Sequence, residues 1–556
     1  MKKILYLALF ILCTLLLIGC DDEAKGRTFK LEIESKGEFR EKIVFEVRLV
    51  DPDKQLKKSD VKGTITKKGS ETVLRTKTLS FDSENYEEVT FDSLTADTEY
   101  LVEFYTSFNG KKVSFYKDKI SCKTSNEGTL DNPYKISTFD EFKKIRQERN
   151  GHFKLTADID CGGSSVSPLF QGSAFTGTFD GSKEDGGNWK IYNFTYGKKD
   201  EEGNYSHTAS KDQYFGLFGN VGEGAKISNL ELSEFNIYVS RDVNRNSGTY
   251  GNSIYYYGIL AGVCAGTIEN VKVTNSSLNV KSENTNLQVF KVGGLVGNLK
   301  GKGIIKNVEV DVDINVESSK DVSVGGVAGT TRDAETFTEK VDDQISFVPN
   351  ISNTNYVGKI AVSINGHSST NGLSDSKTIS QPSIGGLVGK NVEALIKNCS
   401  VDAEIKVTST FKENEGQSIF VGGLVGKNIS DISKISECSA KASFEVETYD
   451  VPKDENKLNV YVGLFAGQNG GDQGASAEIS GCSFTPKGEN IVKVYDNENV
   501  SCVFEKVAKE TKGSKLTDST LVEGTPSLEL TVKAHTKADG SEEYTESKTE
   551  TKTINR

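Results

Sequence analysis

A short glycine-flanked aliphatic segment recurs along this chain and limits its fold more than any other feature. Successive copies end at glycines separated by 43, 35, 32, 60, 37 and 41 residues. A fixed segment at uneven intervals predicts a solenoid, in which each unit stacks on the one before and the connecting loops vary in length. The copies are Phe215–Gly219, Gly258–Gly262, Gly293–Gly297, Gly325–Gly329, Gly385–Gly389, Gly422–Gly426 and Gly463–Gly467.

A second segment, Ile-x-Asn followed by an apolar residue or Cys, comes after most of these copies. After Asn307, apolar and polar residues alternate without a break through Val316, so one face of this strand should be buried. Coils stacked at the usual 4.7–4.9 Å strand spacing would bury a continuous column of such residues. The second segments are Ile227–Leu230, Ile268–Val271, Ile305–Val308 and Ile396–Cys399, with the Asn replaced in Ile435–Cys438 and Ile479–Cys482.

These two segments resemble the GLUG-repeat family, whose members are cell-surface proteins. Three further segments are similar to the opening of pectin-lyase-like β-helices: Asn132–Ile136, Asp158–Asp160 and Phe179–Gly181. The resemblance implies a right-handed parallel β-helix over residues 151–484. A long polar insertion follows Gly329 and runs to about Ser383, and the sequence leaves the register of the coil that contains it open.

The second segments also predict two vertical columns. The asparagines at the turn should bond from coil to coil as a structural ladder, whose members would be Asn193, Asn229, Asn270, Asn307 and Asn398. Cys399, Cys438 and Cys482 occupy the position that Leu230 and Val271 hold in earlier coils, so we expect small buried side chains there. A disulfide between neighbouring coils is the alternative, and its geometry is strict.

Residues 29–125 predict a separate β domain. The odd positions of Ile43–Leu49 are all apolar, as in a strand with one buried face. The segment Leu94–Phe104 resembles the tyrosine-corner region of fibronectin type III and immunoglobulin-like sandwiches, which implies that the Tyr100 hydroxyl bonds back to nearby backbone. Tyr100, Val102, Phe104 and Thr106 would line the interior. The fold class is therefore all-β, a sandwich followed by a solenoid, with the sandwich acting as a spacer.

Two flanking segments complete this organisation. Residues 126–150 form a linker and a short capping helix, because Thr138–Glu141 fits a capping box and apolar residues follow at helical spacing. Such a helix would cover the open end of the stacked strands. In the C-terminal region, 485–556, the alternating run Ser527–Lys533 predicts a strand, whereas Gly540–Arg556 is polar and predicts a flexible tail.

The N-terminus predicts export and lipid anchoring. Met1–Gly19 has a positive start and an apolar stretch too short for a comfortable membrane span, as in a signal peptide. The end of this segment resembles the lipobox of bacterial lipoproteins, which implies that Cys20 is lipidated and that residues 20–28 form a lipidated linker. A generic signal that ends near a chance cysteine is the alternative. The membrane would then be a partner through acyl chains.

The acidic residues Asp21, Asp22 and Glu23 give two opposing indications of destination. An Asp after the cysteine resembles the inner-membrane retention signal of enteric bacteria. Acidic residues at this place also resemble a surface-export signal of another Gram-negative lineage. We favour an outer-membrane lipoprotein exposed at the cell surface, because the architecture resembles that of extracellular proteins.

Charge and composition exclude several classes of function. A net charge of −12 with no basic run argues against nucleic acid as a partner. The four histidines lie too far apart for a paired-His metal motif, so a zinc peptidase is not expected. With 54 Gly, 8 Pro, one Met and one Trp, the chain is typical of a turn-rich β protein. We predict no catalytic residue and no cofactor.

Two functions remain. The first is a non-enzymatic adhesin or binding stalk that recognises a glycan or a protein of a host or neighbouring cell through loops at 236–256, 330–383 and 447–459. Tyr250, Tyr255 and Tyr256 are its candidate ligand contacts. The second is a β-helix that binds or cleaves a polysaccharide. Glu309, Asp311 and Asp313 lie on one strand face, which predicts either a calcium patch or a solvated surface.

Overall fold

The computed structural model divides at Gly128 and Thr129 into two compact units. The residues that it describes are 27–202, 205, 214–241, 254–282, 289–318, 321–331, 337–341, 344–348, 350–365, 381–410, 417–449, 458–471, 476–495, 500–511, 513–522, 527–537 and 544–555. The signal peptide, the proposed lipid site Cys20 and the candidate contact Tyr250 lie outside these residues. In the part of the chain that is described, no helix has the length and apolarity needed to cross a bilayer.

The first unit contains two antiparallel sheets. One has the strand order β1-β2-β5 and the other β4-β3-β6-β7, with β8 also paired to β6. A 3-10 turn lies at Lys58–Asp60. The strands are β1 (Lys30–Glu38), β2 (Ile43–Val50), β3 (Lys62–Lys67), β4 (Val73–Thr78), β5 (Tyr86–Phe91), β6 (Glu99–Phe108), β7 (Lys111–Ser114) and β8 (Ile120–Lys123).

One hydrophobic core joins these two sheets. Ile43 and Val47 of β2 belong to the same buried cluster as Tyr100 and Phe104 of β6. The four residues predicted to line the interior, from Tyr100 to Thr106 at alternate positions, are all buried. The Tyr100 hydroxyl accepts a hydrogen bond from the Thr95 amide at 2.8 Å. The expected back-bond of Tyr100 is thus present, and the assignment to the fibronectin type III or immunoglobulin class stays a prediction.

The second unit begins with β9 (Tyr134–Ile136) and the helix α1 (Phe139–Lys144). The Thr138 hydroxyl accepts from the Glu141 amide, and the Glu141 carboxylate accepts from the Thr138 amide. The predicted capping box is therefore confirmed. A 3-10 turn, Ile145–Gln147, follows the helix. Phe142 is fully buried and packs edge-on against Phe179 at 5.9 Å, so the helix contributes to the first layer of the core.

Strands make up most of the described residues in the rest of this unit. They are β10 (His152–Leu155), β11 (Ile159–Asp160), β12 (Thr178–Asp180), β13 (Trp189–Tyr196), β14 (Tyr214–Phe215), β15 (Phe218–Val221), β16 (Lys226–Arg241), β17 (Ile254–Tyr257), β18 (Ala261–Cys264), β19 (Thr267–Ser282), β20 (Val289–Gly293), β21 (Val296–Leu299), β22 (Ile304–Ser318), β23 (Val322–Gly325), β24 (Ala328–Thr330), β25 (Phe337–Val341), β26 (Gln344–Val348), β27 (Ile351–Asn365), β28 (Ser383–Gly385), β29 (Val388–Asn391), β30 (Leu395–Lys397), β31 (Ser400–Thr410), β32 (Gln417–Gly422), β33 (Val425–Asn428), β34 (Lys434–Ser436), β35 (Ser439–Tyr449), β36 (Leu458–Asn469), β37 (Glu478–Ser480), β38 (Ser483–Pro486), β39 (Ile491–Tyr495), β40 (Val500–Glu510), β41 (Lys515–Thr517), β42 (Thr520–Leu521), β43 (Ser527–Lys537) and β44 (Tyr544–Asn555).

These strands form two ladders, and each coil passes through both. In the first, here called the glycine ladder, Gly293 pairs in parallel register with Gly325, and the same column continues through Gly385, Gly422 and Gly463. The second, here called the long ladder, stacks β16, β19, β22, β27, β31 and β35 in parallel. The predicted stacking of the repeats is therefore confirmed, and the second unit is a parallel β-helix.

The core of the β-helix lies between the ladders. On β22 the even-numbered residues from Val308 to Val316 are buried, as their alternation predicts. Isoleucines of the second segments stack directly above one another, for example Ile268 on Ile305. Because each coil adds one such residue to the column, apolar side chains are shielded by the coils on either side.

The insertion after Gly329 does not interrupt the register. Gly325 pairs with Gly385 across it, and the antiparallel hairpin β25–β26 lies within it. The strand β27 then pairs with β22 on one side and β31 on the other. The register that the sequence left open is thus kept, because Ile351–Asn353 is a further Ile-x-Asn segment and supplies the strand of this coil.

The β-helix also continues beyond residue 484, where the prediction ended it. Strand β43 pairs in parallel with β39, and β44 returns antiparallel beside β43. The predicted flexible tail is therefore a strand between Tyr544 and Asn555. Its polar composition is compatible with a strand because backbone bonds to β43 hold it, and only Ile554 among its side chains is described as buried.

Candidate functional site

A corner in the left-handed backbone region lies within β16, β19, β22 and β27 of the long ladder and just before β31 and β35. Asn229, Asn270 and Asn307 have φ values of 56°, 54° and 55° there. The Asn270 side-chain amide donates to Asn229 at 3.0 Å, and that of Asn307 donates to Asn270 at 3.2 Å. The predicted ladder is therefore structural here. Asn is favoured at this corner because its side chain tolerates a positive φ and bonds locally.

The other predicted members of this ladder occupy the same corner with different partners. Asn193 donates to Asp160 at 2.9 Å, and Asn398 has a φ of 53°. Asn353, which the prediction missed, donates to Asn307 at 3.2 Å. The ladder starts at Asp180, whose carboxylate accepts from Asn229 at 2.8 Å. The side-chain amides of Asn193, Asn229 and Asn353 are thus bonded within the protein, which indicates a structural role.

The three stacked cysteines behave as small polar corner residues. Cys399, Cys438 and Cys482 are buried and free. Each thiol donates to the carbonyl two residues before it, and the Cys399 amide donates to the Cys438 sulfur at 3.4 Å. Ser519 takes the same place in the next coil, where its hydroxyl accepts from the Cys482 amide at 3.1 Å. The alternative of a disulfide is not realised in this structure.

The surroundings also raise the pKa of two of these thiols. A hydrogen bond with the Cys399 side chain and burial together raise the pKa of Cys438 above its usual value. A hydrogen bond with Cys438, followed by burial, raises the pKa of Cys482 likewise. Because the thiolate is the reactive form, Cys438 and Cys482 are poorly suited to act as nucleophiles.

We therefore expect Cys438→Ser to be tolerated and Cys438→Val to be destabilising. Serine keeps both hydrogen bonds of the column, whereas valine leaves the Cys399 amide and the Ser436 carbonyl without this partner. The loss for valine should be about 2 kcal/mol of unfolding free energy, and that for serine below about 1 kcal/mol. Urea unfolding of the two variants measures the difference. Equal losses would contradict the polar role of the thiol.

The outer surface of the long ladder is covered by ion pairs between adjacent coils. Lys190 pairs with Glu231 at 3.2 Å, and Lys272 pairs with Glu309 at 2.9 Å. These four residues follow one another in register, so the sign of the charge alternates from coil to coil. A hydrogen bond to Glu309 raises the pKa of Lys272, although this lysine is exposed. The charges of this column therefore satisfy each other.

The proposed calcium patch is not formed. Glu309 is engaged by Lys272, Asp311 accepts from the Asn275 amide at 3.3 Å, and Asp313 accepts from the Lys359 amide at 2.9 Å. The three carboxylates thus point to three separate partners. Across the described ranges, no three His, Cys, Asp or Glu residues are arranged to hold a metal ion. The alternative, a solvated strand face, describes this surface.

A denser charge cluster lies on later coils. The Asp402 carboxylate contacts Lys487 at 2.8 Å and Lys441 at 2.9 Å, while Glu404 lies 3.5 Å from both Lys487 and Lys359. Burial lowers the pKa of Lys487, but its hydrogen bond and charge attraction to Asp402 outweigh that effect, and the net pKa is raised. A general base must be able to lose its proton near the working pH. Lys487 is held protonated instead.

The two described tyrosine candidates differ in exposure. Tyr255 is buried, and its ring packs edge-on against Phe290 at a centroid distance of 6.3 Å. Tyr255 is therefore not a surface contact, because it points to the core side of β17. Tyr256 faces the other side, is half-buried and stacks on Tyr214 at 5.8 Å. Of the two described candidates, Tyr256 is the one with a partly exposed side chain.

A second amide ladder lies inside the β-helix, and sequence analysis missed it. The Asn391 side-chain amide donates to Asn428 at 2.9 Å, and that of Asn428 donates to Asn469 at 2.8 Å. Thr331 begins this column by donating to Asn391 at 2.6 Å. All four side chains are buried. The signal in the sequence is the Asn two residues after the last glycine of three successive repeats.

Comparison with known proteins supports the repeat and gives little more. The family model described as "The GLUG motif" matches residues 380–408. Halomucin of Haloquadratum walsbyi is 28% identical over 191 residues, which cover 32% of this chain and 2% of halomucin. The chain therefore spans a very small part of that relative.

Among solved structures, an IgA1 protease shares 13% identity at a TM-score of 0.21, over 81% of this chain and 29% of that one. A family 28 exopolygalacturonase of Yersinia enterocolitica shares 10% identity at a TM-score of 0.16, over 89% of this chain and 99% of the exopolygalacturonase. Pectate lyase PelI of Erwinia chrysanthemi, solved with tetragalacturonic acid, shares 8% identity at a TM-score of 0.12, over 81% of this chain and 92% of the pectate lyase. The fold assignment rests on the strand pairing and the GLUG motif.

Proposed function

We propose that this chain is a lipid-anchored protein of the bacterial outer surface and acts as a non-enzymatic adhesin or binding stalk. Its first unit, an immunoglobulin or fibronectin type III-like spacer, would separate the β-helix from the membrane. Lipid on Cys20 would provide the anchor. The partner would be a glycan or a protein of a host or neighbouring cell, bound through loops between the strands of the β-helix.

The observation that carries this proposal is the mutual bonding of charges on the long ladder. Glu269 lies between Lys226 at 2.8 Å and Lys306 at 3.0 Å, and the hydrogen bond from Lys226 is the main reason that its pKa is lowered. Such groups stabilise the stack and are already occupied. Recognition would then fall to the loops, which differ in length from coil to coil, as binding residues commonly do.

The raised pKa values of surface lysines favour binding over lyase chemistry. Lys493 contacts the buried Glu447, and this hydrogen bond raises the pKa of the lysine. Lys487 is held protonated in the same way by Asp402. A polysaccharide lyase requires a base near neutral pH and an acidic cluster for the substrate or a cation. The alternative function is a polysaccharide-degrading enzyme, and the experiment must distinguish it from a binding protein.

The test uses the full chain in a Gram-negative host. Wild-type cells should stain with an antibody against the chain and lose the signal after brief protease treatment, whereas Cys20→Ala should release the protein from the membrane fraction. The full chain in detergent, applied to arrays of glycans and matrix proteins, should bind selected spots. Release of unsaturated uronates from pectic substrates would overturn the non-enzymatic proposal, and retention of Cys20→Ala at the membrane would overturn the anchor.

A further inference from the structure

An open recess lies at one corner of the β-helix, where strands β15, β18 and β21 end and the chain turns towards β16, β19 and β22. Its volume is about 360 Å³. Sites for small ligands commonly have volumes of roughly 300–1,000 Å³, so this cavity is at the lower end of the range. The lining residues that matter here are Asn220, Gly222, Glu223, Ala265, Lys300 and Gly301.

The cavity exists because small residues coincide in adjacent coils. The Ala265 amide donates to the Val221 carbonyl at 2.8 Å, and the Lys300 amide donates to the Cys264 carbonyl at 2.9 Å. These bonds place Gly222, Ala265 and Lys300 at the same turn of three successive coils. At this turn Gly222 carries only a hydrogen atom and Ala265 only a methyl group, whereas the third coil carries the long side chain of Lys300. This difference in size leaves a recess beside Lys300.

Three polar side chains at this recess have no partner within the described residues. Asn220 and Lys300 are half-buried and Glu223 is exposed, and none of the three side chains makes a hydrogen bond or an ion pair there. Lys272 and Glu309, by contrast, pair with each other at 2.9 Å on the long ladder. Gly301 keeps the recess open, since an added Cβ would lie 3.2 Å from the Glu223 carboxylate.

We propose that this recess binds one uncharged, hydroxyl-rich sugar residue of a glycan. A sugar hydroxyl both donates and accepts, and the site offers donors from Lys300 and Asn220 and acceptors from Glu223 and Asn220. One carboxylate and one ammonium group leave the site without net charge, which favours a neutral sugar over a uronate. Because the lining contains no aromatic ring for stacking, a single sugar should bind in the millimolar range. This inference rests on the proposed recognition of glycans.

The test is saturation-transfer NMR on the full chain with methyl glucoside, methyl galactoside, N-acetylglucosamine and glucuronate. We expect transfer to at least one neutral sugar and weaker transfer to glucuronate. Ala265→Leu, which fills the recess, and Glu223→Gln, which removes the charge from an exposed side chain, should each weaken binding about tenfold. The matched control is Glu393→Gln, because Glu393 occupies the equivalent turn two coils beyond Lys300.

Stronger binding of glucuronate, binding unchanged in both recess variants, or equal loss in Glu393→Gln would overturn the proposal. Absence of transfer to every neutral sugar would overturn it as well. The outcome is separable from that of the proposed function. If Ala265→Leu keeps all array signals of the wild-type chain, glycan recognition stands and this site is wrong. If the array reports only protein ligands while NMR detects sugar binding at this recess, the site stands and glycan recognition as the function of the chain is wrong.

Discussion

Gly426→Ala is expected to lower the unfolding free energy of the β-helix by about 3 kcal/mol. An added Cβ at Gly426 would lie 2.5 Å from the Ile384 amide nitrogen and 2.6 Å from the Gly389 carbonyl oxygen. Both contacts are with backbone, which cannot rotate away as a side chain can. The clash would separate strands of the glycine ladder, so the loss should reach neighbouring coils. Urea unfolding followed by tryptophan fluorescence measures it, because Trp189 is the one tryptophan of the chain.

The matched control for this change is Gly172→Ala. An added Cβ at Gly172 meets no atom within 4 Å, and the residue has no positive φ. Its substitution should change the unfolding free energy by less than about 0.5 kcal/mol. If Gly426→Ala were as mild as this control, the close approach between strands of the glycine ladder would be incorrect, and with it the reason that glycine recurs in each repeat.

Asn428→Leu is the second substitution expected to have a large effect. Asn428 is fully buried, accepts from Asn391 at 2.9 Å and donates to Asn469 at 2.8 Å. Leucine would be of similar size but would leave the Asn469 oxygen without its donor in a region that water does not reach. Each buried polar group left without a partner costs about 1–3 kcal/mol, and we expect a loss of about 3 kcal/mol.

The control for Asn428 is Asn459→Leu, at a half-buried asparagine of β36. Asn459 donates to Ser418 at 3.4 Å and accepts from the Ser501 hydroxyl at 2.7 Å, and solvent can replace both contacts because they lie at the surface. Its substitution should cost less than about 1 kcal/mol in the same urea experiment. Comparable losses for the two variants would show that burial of the amide ladder contributes nothing specific to stability.

The predictions that succeeded depended on local periodicity. Alternation from Val308 to Val316 predicted which face of β22 is buried, and the repeated Ile-x-Asn segment predicted the corner at Asn270 and Asn307. Both are properties of one strand and its direct neighbours. The same signal at Ile351–Asn353 went unused because the surrounding insertion is long, so the strand β27 of that coil was missed.

The predictions that failed depended on contacts between residues of adjacent coils. Alternation cannot tell which of two adjacent tyrosines faces the core, and Tyr255 is the one that does. Three carboxylates on β22 suggested a shared site, but each is taken up by a different residue of an adjacent coil, as Asp313 is by the Lys359 amide. The recess beside Lys300 depends on the side chains of three coils at once, and no single repeat indicates it.

The sequence by itself determined that this chain is a stack of similar β coils, because glycine, asparagine and alternating apolar residues each act within one coil and recur in every copy. The tertiary structure alone decided which polar groups satisfy one another and which remain available. That outcome depends on distances of a few ångströms between residues about 40 positions apart, and such distances follow from the register of the stack. Glu309 is therefore occupied by Lys272, while Glu223 is left facing a cavity.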